Sequence, residues 1–152
     1  MQILIDGDGC PVVPLTCEIA AKYKLPVLLF FDTAHAPTSL PSEVEIYTVA
    51  KGRDSVDMAL IQRLKKGDVV ITQDYGLAAL VLSRGAFCLR QDGFCYTNGN
   101  IDQLLMSRYL HQKVRAAGGR MKGPKKRQPE EDLAFRQSLE RLLMPLLSKE
   151  NE

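Results

Sequence analysis

The feature that most constrains this chain is a series of short runs rich in Val, Ile, Leu and Phe, several of which end at an aspartate. Five such runs lie in the first ninety residues: Ile3–Ile5, Val27–Phe31, Val44–Val49, Val69–Thr72 and Phe87–Leu89. Runs of this length that are bounded by turn residues are typical of buried strands. Each is far too short to span a bilayer, so we expect no membrane segment.

Segments with helical spacing of their apolar residues separate and follow these runs. They predict helices over Val12–Lys24, Asp54–Lys66, Leu77–Ser83, Ile101–Ala117 and Glu130–Met144. Strands that alternate with helices pair in parallel. The sequence therefore predicts an α/β fold, a three-layer α/β/α sandwich with a mainly parallel sheet of four or five strands and the first strand central.

The regular pattern ends at Gly118-Gly119, and Gly123-Pro124 breaks the chain again. We expect an α/β domain over residues 1–117, then a basic linker and a C-terminal amphipathic helix over 118–152. The helix carries an apolar stripe of Phe135, Leu139, Leu142, Leu143 and Leu146. That stripe must bury against the domain or against a partner, so a homodimer formed through this helix is one expectation.

The N-terminus and the cysteines indicate a cytoplasmic protein. Residues 1–6 contain no basic stretch and already reach Asp6, unlike a signal peptide. Of the four cysteines, Cys10 and Cys17 are seven residues apart, as are Cys88 and Cys95. Neither spacing fits a zinc or redox motif, so we expect reduced thiols.

Carboxylates gather where α/β proteins place their chemistry, beyond the carboxyl ends of parallel strands. They follow the first four predicted strands, and the set is Asp6, Asp8, Asp32, Asp54, Asp57 and Asp74. Each alone is also explained as a turn or helix-capping residue. Together they would repel one another and raise one another's pKa, which predicts a cation, and hard oxygen ligands favour Mg²⁺ or Mn²⁺. We expect Asp6, Asp57 and Asp74 around one cleft, with Asp8 and Asp54 at its edge.

The net charge of +2 hides a segregation of charges, because residues 113–127 carry seven basic side chains and no acidic one. Such a segment is either a solvated linker or a contact for a polyanion. The predicted nucleic-acid contacts are Lys51, Arg53, Arg120, Lys122, Lys125, Lys126 and Arg127.

Three motifs resemble the bacterial YaiI/YqxD family: Ile5-Asp6-Gly7-Asp8-Gly9-Cys10-Pro11-Val12, residues 51–57 and residues 71–78. The order of these motifs is also similar to that of PIN and NYN domains. That resemblance implies a PIN-like fold and a metal-dependent ribonuclease. The catalytic positions would then be Asp6, Asp57 or Asp54, and Asp74, and the fourth acidic position would be Asp92 or Asp8.

Three function classes follow from these observations. The first is a Mg²⁺- or Mn²⁺-dependent nuclease, with RNA as the expected substrate. The second is a nucleic-acid-binding module without catalysis. The third is a small-molecule phosphatase or phosphotransferase in which Asp6, within Asp6-x-Asp8, is the nucleophile.

Overall fold

The computed structural model describes residues 1–32, 43–50, 55–119 and 126–150. Within these ranges the strands are β1 (Ile3–Asp6), β2 (Val27–Asp32), β3 (Val44–Val49), β4 (Val69–Ile71), β5 (Phe87–Leu89) and β6 (Cys95–Tyr96). The helices are α1 (Val13–Lys22), α2 (Ser55–Arg63), α3 (Tyr75–Ser83), α4 (Ile101–Ala116) and α5 (Pro129–Glu150). Residues 33–42, where Pro37 and Pro41 favour a loop, lie outside the described residues.

The strands form one sheet in the order β3-β2-β1-β4-β5-β6. Every neighbouring pair is parallel except β5 and β6, which are antiparallel. Ile5 of β1 lies opposite Leu29 of β2 on one side and Ile71 of β4 on the other. The predicted α/β class, mainly parallel pairing and central first strand are confirmed. The sheet has six described strands because the two-residue β6, which carries no strand pattern of its own, pairs with β5.

Both faces of the sheet are buried, as expected for parallel strands covered by helices. Successive side chains of a strand point to opposite faces, so Ile3 and Ile5 belong to one apolar cluster and Leu4 to the other. The first cluster includes residues of α1 and α5, and the second includes residues of α2, α3 and the start of α4. These two cores fix β1, β2 and β4 in register, and with them the side chains that follow each strand.

The C-terminal helix α5 is part of this core. Phe135, Leu139 and Leu143 are fully buried in the cluster that also contains residues of β1 and α1. Three residues of the predicted apolar stripe therefore bury within the chain itself. Burial of each such side chain stabilises the fold by roughly 1.5–3 kcal/mol.

Helix α5 continues past the predicted end at Met144 to Glu150, with Pro145 in its interior. A proline there removes one backbone hydrogen bond and ordinarily ends or kinks a helix. The partly buried Leu147 packs against the core beyond this point, and Glu150 lies 3.5 Å from the N-terminal ammonium group. These contacts hold the last turn in place. None of the helices in the described residues is long and apolar enough to cross a membrane.

Candidate functional site

The strand order changes direction at the crevice between β1 and β4. From β1 the chain runs to β2 and β3 on one side, and later to β4 and β5 on the other. In open α/β sheets the crevice outside the carboxyl ends at such a switch point is where ligands bind. Asp6 is the last residue of β1, and Thr72 follows β4 directly. The two strands are paired neighbours, so their terminal side chains meet.

Thr72 links the two principal aspartates. Thr72 is 2% exposed, and its hydroxyl donates to Asp6 Oδ2 at 2.8 Å. The same hydroxyl oxygen accepts from the backbone N–H of Asp74 at 3.0 Å. The Tyr96 hydroxyl donates to the Thr72 carbonyl at 3.2 Å, which stabilises the turn after β4. Thr72 thereby fixes the end of β1 relative to the start of α3.

Asp74 caps helix α3. Its Oδ1 accepts from the backbone N–H groups of Gly76 at 2.8 Å and Leu77 at 3.2 Å. This is the capping role that aspartate commonly plays at a helix start, and it orients the carboxylate. Arg108 of α4 also lies 3.3 Å from the same Oδ1. The two side chains are 47% and 41% exposed, so this ion pair contributes only about 0–1 kcal/mol to stability and exchanges readily.

Asp6 is held in an environment that disfavours its charge. Burial raises its pKa from 3.8 to about 6, the hydrogen bond from Thr72 opposes the rise, and the charges of Asp8 and Asp74 add to it. Like-charge repulsion was the cause predicted from the sequence, but desolvation is the larger one. A half-buried carboxylate that titrates near neutral pH is common at functional sites and is stabilised by any cation that binds beside it.

Asp8 lies in the turn after β1. Its Oδ1 accepts from the backbone N–H of Asp32, at the end of β2, at 3.3 Å. Between Asp6 and Asp8, Gly7 donates its N–H to the Phe30 carbonyl at 2.7 Å. A Cβ on Gly7 would lie 2.9 Å from that carbonyl oxygen and 2.8 Å from a Leu29 methyl group. The glycine therefore lets this turn lie tightly against β2.

Asp57 and Asp74 line one cleft between α2, α3 and α4, with a volume of about 720 Å³. Its polar walls also include Arg84, Arg108 and Gln112. The sequence identifies the two aspartates but not Arg108. No local motif marks Arg108, which reaches Asp74 from 34 residues further along the chain. Only the packing of α4 beside α3 brings the two together.

Other predicted site residues have structural partners or lie outside the described ranges. Asp92 makes two hydrogen bonds with Arg90, at 2.9 and 2.7 Å, which lower its pKa and tie it to that arginine. Arg127 donates to Asp132 and to the Gln91 carbonyl, whereas Lys126 is exposed. The residues outside the described ranges are Lys51, Arg53, Asp54, Arg120, Lys122 and Lys125.

The cysteines are all free thiols, as predicted. Burial raises the pKa of Cys10, which lies beside the acidic crevice, to about 11. A thiol with so high a pKa is a poor nucleophile and a poor metal ligand at neutral pH. The candidate metal-binding groups of this crevice are therefore its carboxylate oxygens.

The donor set fits a hard cation. Over the ranges that the structure describes, no three acidic, histidine or cysteine side chains are close enough to form a ready-made metal cage. Mg²⁺ does not require one, since it keeps several waters and is usually bound by one or two carboxylates together with substrate phosphates. Asp6 and Asp74, positioned by Thr72 at the mouth of the switch-point crevice, supply carboxylates of that kind.

The fold and site define a class: a parallel α/β protein with aspartates at the switch-point edge of its sheet. Within that class, this chain belongs to the YaiI/YqxD family, described as an uncharacterized bacterial family, whose model matches residues 4–145. A UPF0178 protein of Exiguobacterium sibiricum is 49% identical over 143 residues, which cover 94% of this chain and 96% of the relative. A UPF0178 protein of Ruminiclostridium cellulolyticum is 47% identical over 145 residues, which cover 95% and 94% of the two chains.

Proposed function

We propose that this protein is a Mg²⁺- or Mn²⁺-dependent phosphodiesterase that cleaves RNA, with a site of the PIN type. The observation that carries the proposal is the Asp6–Thr72–Asp74 network at the switch point between β1 and β4. It places two oriented carboxylates, one of them with a raised pKa, at the edge of the sheet where α/β proteins bind ligands.

Each residue has a definable part in this proposal. Asp6 and Asp74 are the proposed cation ligands, and Asp57, which lines the same cleft as Asp74, is the third acidic group. Asp8, and Asp54 outside the described residues, stand at the edge of the site. A bound Mg²⁺ or Mn²⁺ would polarise a phosphate and lower the pKa of a coordinated water. Thr72 orients the Asp6 carboxylate and holds the backbone of Asp74, whose carboxylate is oriented by the N–H groups of Gly76 and Leu77. Burial raises the pKa of Asp6, and a bound cation would lower it again.

The basic segment supports a polyanionic substrate. Lys126 is exposed, and the other basic residues between 113 and 127 give a cationic extension to a domain whose crevice is acidic. Lysine and arginine gain affinity for nucleic acid by releasing phosphate counterions. RNA is thus the proposed partner, with cations of the protein drawing the backbone toward carboxylates that would otherwise repel it.

The test is cleavage of a fluorescently labelled RNA by the purified protein with Mn²⁺, with Mg²⁺ and with excess EDTA. We expect cleavage only with a divalent cation, and a loss of about 100-fold or more for Asp6→Asn and Asp74→Asn. Asp102→Asn, which removes an exposed aspartate of α4 outside the cleft, is the matched control and should retain full activity. Cleavage that persists in EDTA, or that survives Asp74→Asn, contradicts the proposal.

A second candidate is a nucleic-acid-binding module without catalysis. It is favoured by one observation, the lack of a three-ligand cluster among the residues that the structure covers. RNA binding of the wild type without cleavage under any divalent cation would select this alternative. A phosphoryl group trapped on Asp6 would select the small-molecule phosphatase instead.

A further inference from the structure

The cleft between α2, α3 and α4 carries both signs of charge. Asp57 and Asp74 line it together with Arg84 and Arg108. Arg84 is exposed, and its side chain has no hydrogen-bond or ion-pair partner within the described part of the chain. A cleft of about 720 Å³ with this lining is large enough for a nucleotide-sized group and offers cationic donors for its phosphate.

Arg108 lies directly over the start of α3. Its guanidinium is 3.3 Å from Asp74 Oδ1, and Gly76 makes that approach easy. A Cβ on Gly76 would lie 3.2 Å from Asp74 Oδ1 and 3.5 Å from a guanidinium nitrogen of Arg108, tighter than or close to ordinary contact. Because Gly76 has no side chain, the Arg108 guanidinium of α4 can approach the Asp74 carboxylate.

We propose that Arg108 is a phosphate-binding residue that exchanges partners. It pairs with Asp74 in the free protein, and it binds a substrate phosphate when Asp74 binds a divalent cation. This rests on the function proposed above and names the residues that hold its substrate. Arg84, at the edge of the same cleft, is the second phosphate contact. Guanidinium groups suit this role because their planar donors match phosphate oxygens in pairs.

The exchange requires little reorganisation. The Arg108–Asp74 pair is about half exposed, so water screens it and breaking it costs little free energy. Asp74 remains fixed by the backbone N–H groups of Gly76 and Leu77 when the arginine leaves. The carboxylate therefore keeps its orientation in both states, and only the long, exposed arginine has to move.

A partner exchange predicts that Arg108 acts in opposite directions on the two ligands. In the free protein it competes with the cation for Asp74, so its removal should strengthen cation binding. In the presence of the cation it binds phosphate, so its removal should weaken RNA binding. A residue with only a structural role would not move the two affinities in opposite directions.

The experiment compares the wild type with Arg108→Ala, Arg108→Lys and Arg141→Ala, a control that removes an exposed arginine of α5 outside both the cleft and the basic segment. Mn²⁺ affinity is measured by isothermal titration calorimetry without RNA. RNA affinity is measured by fluorescence anisotropy with saturating Mn²⁺, and the length of the RNA is checked on a gel after each titration.

We expect Arg108→Ala to bind Mn²⁺ about two- to five-fold more tightly than the wild type, the range set by an exposed ion pair. Its RNA affinity in Mn²⁺ should fall about ten-fold, as for loss of a charge-assisted contact. The RNA affinity of Arg108→Lys should lie between those of Arg108→Ala and the wild type, because lysine keeps the charge but not the paired donors. Arg141→Ala should match the wild type in both titrations.

Unchanged or weaker Mn²⁺ binding by Arg108→Ala overturns the exchange, and so does unchanged RNA binding. If Arg108→Ala shows both affinity changes but the wild type cleaves no RNA, the partner exchange is supported and the ribonuclease function is rejected. If the wild type shows metal-dependent cleavage but Arg108→Ala shows neither affinity change, the ribonuclease function is supported and the exchange is rejected. A wild type that binds no Mn²⁺ at millimolar concentration rejects both the exchange and the ribonuclease function.

Discussion

At the residue scale, Thr72 connects the site to the fold. Its hydroxyl is buried, donates to Asp6 and accepts from the backbone of Asp74, so one oxygen sets the relation between two strand ends. Buried hydroxyls of this kind are costly to remove because their partners lose hydrogen bonds that water does not replace. The residue therefore affects both stability and the protonation of Asp6.

Replacement of Thr72 by valine keeps the shape and removes the hydroxyl. We expect Thr72→Val to lower the free energy of unfolding by about 1–3 kcal/mol, measured by urea denaturation. It should also raise the pKa of Asp6 above its value of about 6, because the Thr72 hydrogen bond lowers that pKa. Thr72→Ser, which keeps the donor, should restore the pKa. A valine variant with unchanged stability and unchanged Asp6 titration would show that the network has no such role.

Asp6 predicts a pH dependence of stability. Its pKa is raised in the folded protein, from 3.8 to about 6, so the native state binds more protons than the unfolded state between these values. The free energy of unfolding therefore falls as pH rises through this window. The loss of stability is complete once the pH is well above 6. Without metal, Asp6→Asn should be more stable than the wild type by roughly 1–3 kcal/mol at pH 7.5.

The measurement is urea denaturation in EDTA at several pH values between 4 and 8. The advantage of Asp6→Asn should shrink steadily toward pH 4, where Asp6 is protonated in the native state and nearly half protonated in the unfolded state. Asp102→Asn is the control for loss of an exposed carboxylate. An Asp6→Asn variant that is less stable than the wild type at pH 7.5 would contradict the assigned burial of the charge.

The sequence identifies the aspartates of the crevice but not their partners. Asp6 and Asp74 could be predicted because a buried strand followed by an acidic turn is a local pattern. Arg108 could not, because its approach to Asp74 depends on how α4 packs beside α3. Asp92 was considered as an acidic ligand, yet its two hydrogen bonds to Arg90 depend on a turn geometry that the sequence does not encode locally.

At the element scale, α5 shows that the C-terminal segment belongs to the same core as the sheet. The sequence predicts the apolar stripe of α5 and its need for burial, but it does not predict which surface α5 packs against. Its continuation through Pro145 was also not predictable, because the contacts of Leu147 and Glu150 that hold the last turn are tertiary. The two-residue strand β6 likewise depends on pairing with β5.

Helix α5 offers a matched pair of leucines to test this packing. Leu139 is fully buried, whereas Leu133 in the same helix is 57% exposed. We expect Leu139→Ala to lower the free energy of unfolding by about 2–5 kcal/mol. Leu133→Ala should change it by about 0.5 kcal/mol or less. Chemical denaturation measures both, and equal effects would mean that α5 does not pack on the domain as described.

At the scale of the whole molecule, the chain combines an acidic crevice with a basic segment. Of the basic residues predicted to contact nucleic acid, Arg127 is engaged by Asp132 and the Gln91 carbonyl. Its contacts tie the start of α5 to the loop after β5. Lys122, Lys125 and Lys126 therefore remain the better proposed phosphate contacts.

A salt titration of RNA binding tests this division. Neutralising Lys122, Lys125 and Lys126 to glutamine should flatten the dependence of log affinity on log salt by up to about one unit per lost contact. Arg127→Gln should instead lower stability and leave the salt slope nearly unchanged. Equal slopes for the wild type and the triple variant would identify the basic segment as a solvated linker.

The proposed cation site lies between Asp6 and Asp74, at the switch point between β1 and β4. Anomalous diffraction from crystals soaked in Mn²⁺ tests it most directly, since the signal locates the ion itself. We expect a peak in contact with carboxyl oxygens of Asp6 and Asp74, and its loss in crystals of Asp74→Asn soaked in the same way. A peak that lies only elsewhere on the molecule, or none at the crevice in well-ordered wild-type crystals, would contradict it.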